Sequence, residues 1–121
     1  MEYKFINTEY LDSVTGGDSG ILFEIVKMFK EQVYEMNNEM RSLLAEKKYQ
    51  SLGMLAHKVK SSVEIMGMND LAIMLKTFEL QSKDGTNPEQ YDSYIDRFAN
   101  ETKIAITELD DLINNRLNKS L

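Results

Sequence analysis

Residues 47–69 read KKYQSLGMLAHKVKSSVEIMGMN. Apolar side chains recur in this stretch every three or four positions, which is the spacing of one face of a helix. At 100° per residue they fall within an arc of about 100°. The members of this arc are Leu52, Leu55, Ala56, Val59, Val63 and Met66. The stretch predicts an amphipathic helix that follows the Lys47-Lys48 turn, reaches about Met66 and stops at Gly67.

The same periodicity continues on both sides of this stretch, and no window alternates in the manner of a β-strand. Upstream, we expect a short helix over about Thr8 to Val14 and a long one from the N-cap Asp18 to about Glu46. Downstream, Asn69 is expected to cap a helix that Gly85 ends, and Asn87-Pro88 to cap and open the last helix. The sequence therefore predicts an all-α fold, an antiparallel up-down four-helix bundle with a short additional N-terminal helix.

The first half of the second helix is apolar nearly all round, because Ile21, Phe23, Val26 and Met28 lie beside the expected core stripe. A helix of this kind needs cover on a second face. We expect the N-terminal segment to provide it, with a partner-docking surface as the alternative. The segment's apolar side chains are Phe5, Ile6, Tyr10 and Leu11. The expected core stripe is Leu22, Ile25, Phe29, Val33, Met36, Met40 and Leu43.

The composition favours a single domain over residues 1–121, with 42% apolar residues and no cysteine. The formal net charge of −6 disfavours binding to nucleic acids and to anionic membranes. The absence of cysteine excludes disulfides, thiol catalysis and thiolate metal sites. No basic head precedes an apolar run at the N-terminus, and no stretch has the length of a membrane span, so we expect a cytoplasmic protein. Met1 and the five-helix pattern favour a freestanding domain.

His57 lies on a second arc of the third helix, centred about 130° from the apolar one. The arc also contains Gly53, Lys60, Ser61 and Glu64. Gly53 and Ser61, one turn away on either side, leave the imidazole with little bulk around it. Glycine inside a helix costs about 1 kcal/mol relative to alanine, so Gly53 indicates close approach by another protein, or a position early enough in the helix to cost less. Lys60 places a cation where a phosphoryl group on the ring would sit.

Glu79 is expected to face His57 across the helix boundary. If the turn between the third and fourth helices centres on Met68, a residue eleven positions before it lies level with one eleven positions after it, and these two are His57 and Glu79. Glu79 lies just beside the expected core stripe of the fourth helix. A carboxylate that accepts the Nδ1 proton would leave the Nε2 lone pair free as a nucleophile. The stripe consists of Leu71, Met74, Leu75 and Phe78.

Residues 56–67, AHKVKSSVEIMG, resemble the signature of the histidine-containing phosphotransfer (HPt) family, Ala-His-x-Leu-Lys-Gly-Ser-x-x-x-Leu-Gly. The resemblance continues downstream into Leu71 and Phe78-Glu79. Upstream, it covers Tyr10-Leu11, Gly17-Asp18 and the region of Phe29, and thus nearly the whole chain. Two positions depart from the pattern: Ser61 stands where the family usually has glycine, and Val59 where it has leucine.

The resemblance implies that His57 is the phosphoacceptor, Lys60 the cation facing the phosphoryl group and Glu79 the partner of the other ring nitrogen. It implies a phosphoryl carrier, not an enzyme, that takes the group reversibly from an aspartyl phosphate of a response-regulator receiver domain and passes it to another. The sequence has no Gly-rich nucleotide loop and no obvious magnesium-binding aspartate cluster. The partner is therefore expected to supply Mg²⁺ and the catalytic aspartate, and the chain to carry no metal or cofactor of its own.

The surface around His57 is expected to dock these receiver domains, with a hybrid histidine kinase as a further candidate partner and the chain as a monomer. Met54, Ile65 and Met68 lie too far round the third helix for full burial, although packing against neighbouring segments is an alternative. Methionine suits a surface that accepts several partners. The proposed docking residues are Gly53, Met54, Lys58, Ser61, Glu64, Ile65 and Met68.

Three alternatives to this function are a sensor-kinase dimerisation domain, a metal enzyme and an adaptor. A sensor-kinase dimerisation domain typically has an acidic residue after its histidine, whereas Lys58 follows here. A carboxylate-bridged metal enzyme needs two Glu-x-x-His pairs, and this chain has one histidine, with Met54 at that spacing. A helical-bundle adaptor that is never phosphorylated, with His57 incidental, remains as the alternative.

Overall fold

The computed structural model describes residues 3–120, with side chains through residue 117. The predicted domain of residues 1–121 thus includes three positions, 1, 2 and 121, that lie outside the described residues. Within the described range the chain is helical and contains no strand. The helices are α1 (Thr8–Thr15), α2 (Ser19–Ala45), α3 (Tyr49–Ile65), α4 (Asn69–Asp84) and α5 (Tyr91–Ser120), with a short 3-10 helix at Pro88–Gln90. The all-α prediction and the extents of the helices are confirmed to within a few residues.

Helices α2 to α5 form the predicted up-down bundle, in which α3 packs closely against α4, and α2 and α5 complete the ring. The predicted apolar arc of α3 is buried throughout. No helix in the described range is long and apolar enough to cross a membrane. The core is filled by large side chains from every helix, among them Leu11, Leu22, Phe29, Met40, Leu52, Leu71, Leu75, Phe78, Tyr91, Ile95 and Phe98.

The N-terminal segment covers α2 only in part. Helix α1 packs against α2 and buries Leu11, whereas the residues before it contact other parts of the bundle. Asn7 N donates to the Met66 carbonyl oxygen at the α3–α4 turn, and residues 4–6 contact α5. They are held there by Glu108 on α5, whose carboxylate accepts backbone N–H groups of Lys4, Phe5 and Ile6. Val26 of α2 is buried, whereas Ile21 and Met28 stay exposed. The expected cover by the N-terminal segment is therefore provided only in part, by α1, because residues 4–6 bond to Glu108 on α5 instead.

The break between α3 and α4 follows the predicted glycine stop. Gly67 has φ 75°, and its N–H donates to the Glu64 carbonyl oxygen at 2.9 Å. The N–H of Met68 reaches back to the Val63 carbonyl oxygen at 3.1 Å. These two bonds complete a Schellman motif, which satisfies carbonyl groups at the end of α3. The turn is therefore short, and it holds α3 and α4 as adjacent antiparallel helices.

Two of the expected caps differ from the structure. Asp18 caps α2 as predicted, with its side chain accepting from Ile21 N. At α4, however, Met68 occupies the N-cap position, because its side chain enters the core, and Asn69 is already helical. At α5, Asn87 precedes the 3-10 helix without a side-chain cap bond. The α-helix begins only at Tyr91, which is fully buried and whose hydroxyl lies within hydrogen-bond distance of the carbonyl oxygens of Gln81 in α4 and Thr86 in the following turn.

Candidate functional site

The structure brings His57 and Glu79 together, as the hairpin argument predicts. Nδ1 of the imidazole lies 3.1 Å from Oε1 of the carboxylate. The His57 side chain is 55% exposed on the outside of α3, whereas the Glu79 side chain on α4 is 4% exposed. No group in the described part of the chain bonds Nε2. One ring nitrogen is therefore anchored against the bundle, and the other faces solvent.

Glu79 is a buried carboxylate surrounded by cations. Its Oε2 accepts a hydrogen bond from Lys83 Nζ at 2.8 Å, and Lys76 Nζ lies 3.7 Å from Oε1. The hydrogen bond from Lys83, followed by that from His57, lowers the pKa of Glu79 to about 2, although burial acts in the opposite direction. Glu79 is therefore ionised at neutral pH and can only accept hydrogen bonds. A neutral His57 ring must then carry its proton on Nδ1, which leaves a lone pair on Nε2.

Lys60 lies one turn after His57 but is already paired. Its Nζ is 3.1 Å from Oε1 of Glu64, one turn further along α3, and its side chain is three-quarters buried. No contact between Lys60 and the imidazole is found among the described residues. A phosphoryl group on Nε2 of His57 would carry two negative charges and would compete with the single charge of Glu64 for the Lys60 ammonium group.

The side chains that border His57 include exposed apolar groups. Met54 is 62% exposed and Ile65 45% exposed, while Lys58 is exposed and Glu64 half-buried. Ser61 is also exposed, and its hydroxyl donates weakly to the His57 carbonyl oxygen at 3.4 Å, which turns it toward the helix backbone. Met54 and Lys58 line a groove beside the ring, whereas Ile65 lies two turns further along α3. A groove of about 580 Å³ runs beside the ring and is lined by Glu39, Leu43, Ser51, Met54, Leu55, His57, Lys58 and Lys83.

Met68 is wrongly assigned to this surface. It is 3% exposed and belongs to the core. Met68 does not follow the helical wheel, because α3 ends at Ile65 and Gly67, in the left-handed conformation, reverses the chain before Met68 is reached. A position on the wheel has no meaning beyond the end of its helix.

Gly53 is buried, and α4 lies directly against it. A Cβ atom at this position would meet Lys83 Cγ at 2.8 Å and the backbone oxygen of Glu79 at 3.0 Å. The space beside the glycine is therefore filled by the protein's own neighbouring helix. The packing of α4, rather than close approach by another protein, accounts for Gly53.

Lys83 and Lys76, which both contact Glu79, were not predicted from the sequence. Their spacing from Glu79, four residues after and three before, is that of neighbours on a helix surface and could have indicated both pairs.

Among the described residues, no group of three or more histidine, cysteine, aspartate or glutamate side chains could hold a metal ion.

The chain matches the family model of the Hpt domain over residues 24–116. The matched range is more than half of the 121-residue chain and contains the whole of α3 and α4, with His57, Lys60 and Glu79. Searches of curated proteins and of solved structures found no significant match. On the family match, together with the helical bundle and its exposed histidine, the chain belongs to the Hpt domain family.

Proposed function

We propose that this protein is a histidine phosphotransfer protein of a two-component phosphorelay. His57 accepts a phosphoryl group from the aspartyl phosphate of a receiver domain and returns it to another. Family membership supports this role in general terms, because Hpt domains act in phosphorelays. In this proposal His57 is the phosphoacceptor, and the protein is a monomeric cytoplasmic carrier.

The observation that carries the proposal is the pairing of a solvent-facing imidazole with a buried, ionised carboxylate. Oε1 of Glu79 lies 3.1 Å from Nδ1, so the ring is oriented and its proton is held on the inner nitrogen. Nε2 then has a free lone pair directed outward. An ordinary surface histidine would have neither a fixed tautomer nor a fixed direction.

The transfer balances with this chain supplying only the nucleophile. Nε2 attacks phosphorus in line, the bond between phosphorus and the aspartyl oxygen breaks, and the aspartate leaves as a carboxylate. The phosphorylated ring keeps its Nδ1 proton and becomes cationic, a charge that Glu79 stabilises. The receiver supplies Mg²⁺ and the catalytic aspartate, so the contribution of this domain is positioning and electrostatic help.

The charges near His57 fit a partner with an acidic site. Lysines gather around the ring although the whole chain has a formal net charge of −6. They are Lys58, Lys60, Lys76 and Lys83; Lys60 pairs with Glu64, and Lys76 and Lys83 pair with Glu79. A receiver domain that presents carboxylates around its phosphorylated aspartate would be attracted to this patch, and Met54 and Ile65 would add apolar contact. Met68 and Gly53 are not part of this proposed surface, since both are buried.

The test is to mix the purified protein with a phosphorylated receiver domain and to follow the label. The protein should acquire phosphate that is labile in acid and stable in base, as expected for phosphohistidine. His57→Gln should fold normally, judged by its helical circular dichroism, and acquire none. Undiminished labelling of that variant would place the acceptor elsewhere. The absence of labelling from every receiver tried would favour the adaptor alternative.

A further inference from the structure

Lys83 occupies the space that the missing side chain of Gly53 leaves open. It lies on α4 one turn after Glu79, and its Cγ would be only 2.8 Å from a Cβ at position 53. The backbone N of Lys83 and the backbone O of Glu79 also lie within 3.1 Å of that Cβ position. The glycine thus allows α4 to lie against α3 and allows the aliphatic chain of Lys83 to pass between the helices.

The head group of Lys83 ends on the carboxylate that orients His57. Its Nζ donates to Oε2 of Glu79 at 2.8 Å, while Oε1 faces Nδ1 of His57 at 3.1 Å. The two oxygens of the buried carboxylate are therefore divided between a lysine and the imidazole. Lys76 lies further off, 3.7 Å from Oε1, and its contact is an ion pair longer than a hydrogen bond.

We propose that Lys83 is a positioning residue for phosphoryl transfer, which holds Oε2 of Glu79 and offsets the charge that the carboxylate exerts on the ring. The proposal rests on the proposed function of His57. A lone buried carboxylate beside an imidazole would favour the protonated ring, which has no lone pair on Nε2 and cannot attack phosphorus. With Lys83 in place, part of the Glu79 charge is offset. Glu79 then still orients the ring but favours its protonated form less.

Several other charged groups face this site and set the scale of the effect. They come from three helices: Glu39 of α2 lines the groove beside the ring, Lys58 and the Lys60–Glu64 pair lie on α3, and Lys76 lies on α4. Of these, Lys76 is the one that also contacts Glu79. The loss of Lys83 therefore leaves a second cation near the carboxylate. We accordingly expect a moderate change in the ring's protonation.

Lys83→Met is the informative variant, because methionine keeps an unbranched apolar chain above Gly53 and removes the charge. The ring titration, followed by NMR on the protein without any partner, should move to higher pH by about half a pH unit, as expected for one partly screened charge. The rate of His57 phosphorylation by phosphoramidate, a small donor that needs no receiver, should fall at neutral pH and recover at higher pH. Lys83→Arg should restore both properties.

Lys103→Met provides the matched control, since it removes the same charge from an exposed position on α5. If the ring titrates alike in Lys83→Met and Lys103→Met, the proposed offset is wrong. Slower phosphorylation of Lys83→Met with an unchanged titration would also overturn it, since Lys83 would then act on the phosphoryl group itself. The titration needs no phosphoryl transfer, whereas failure of wild-type His57 to accept phosphate from any donor would remove the proposed function, and the positioning role with it.

Discussion

Replacing Glu79 with glutamine removes a buried carboxylate that the folded protein holds in its ionised form. The pKa of Glu79 is lowered from 4.5 to about 2, with the hydrogen bond from Lys83 as the largest cause. Glutamine has nearly the same shape and can still accept from His57 Nδ1 through its amide oxygen. The substitution therefore removes the charge and leaves most of the packing in place.

The pKa of Glu79 links the stability of the fold to pH. A carboxyl group whose pKa is depressed by folding stabilises the folded state above its unfolded pKa and loses that contribution as the pH falls through its folded pKa. Each pKa unit corresponds to about 1.4 kcal/mol, so the lowering from 4.5 to about 2 is worth roughly 3 kcal/mol at pH 7. The contribution declines below about pH 4.5, and about half of it remains at pH 3.

Urea denaturation of the wild type and of Glu79→Gln at several pH values between 7 and 3 measures this contribution. We expect Glu79→Gln to be less stable by roughly 3 kcal/mol at pH 7 and the difference to shrink by about half at pH 3. Glu24→Gln, at an exposed position of α2, is the matched control and should differ little from wild type at either pH. A stability difference for Glu79→Gln that is the same at both pH values would refute the argument that Lys83 and His57 hold this carboxylate ionised.

Three further predictions concern other positions. Gly53→Ala should lower the free energy of unfolding, measured by urea denaturation, by on the order of 1 kcal/mol, because the new Cβ atom would crowd the Glu79 carbonyl oxygen. This crowding should outweigh the better helix propensity of alanine, and a stabilised variant would contradict the prediction. Lys60→Ala should slow transfer from a receiver or shift its equilibrium while His57 is still labelled, and unchanged kinetics and equilibrium would make Lys60 a bystander. Asp18→Ala loses the cap bond to Ile21 N and should cost about 1 kcal/mol in thermal unfolding without altering phosphoryl acceptance; an unchanged stability would show that this cap contributes nothing.

The contact between His57 and Glu79 could be predicted from helix periodicity and the position of one turn. Helix periodicity predicted α3 and α4, and Gly67 predicted the short turn between them. Once two adjacent helices run antiparallel from a short turn, residues equally far from that turn lie level, because both helices rise by the same 1.5 Å per residue. The juxtaposition of the two side chains therefore required no knowledge of the rest of the fold.

Features that depend on residues close together in the chain were predictable from the sequence: the helices, the Asp18 cap, the glycine stops and the level of Glu79 opposite His57. The burial of Met68, the role of Gly53 and the hydrogen bond from Lys83 to Glu79 Oε2 became visible only in the packed bundle. The physical reason is that these three features depend on the distance between α3 and α4 and on the path of each side chain across it. Neither quantity is contained in the periodicity of a single helix.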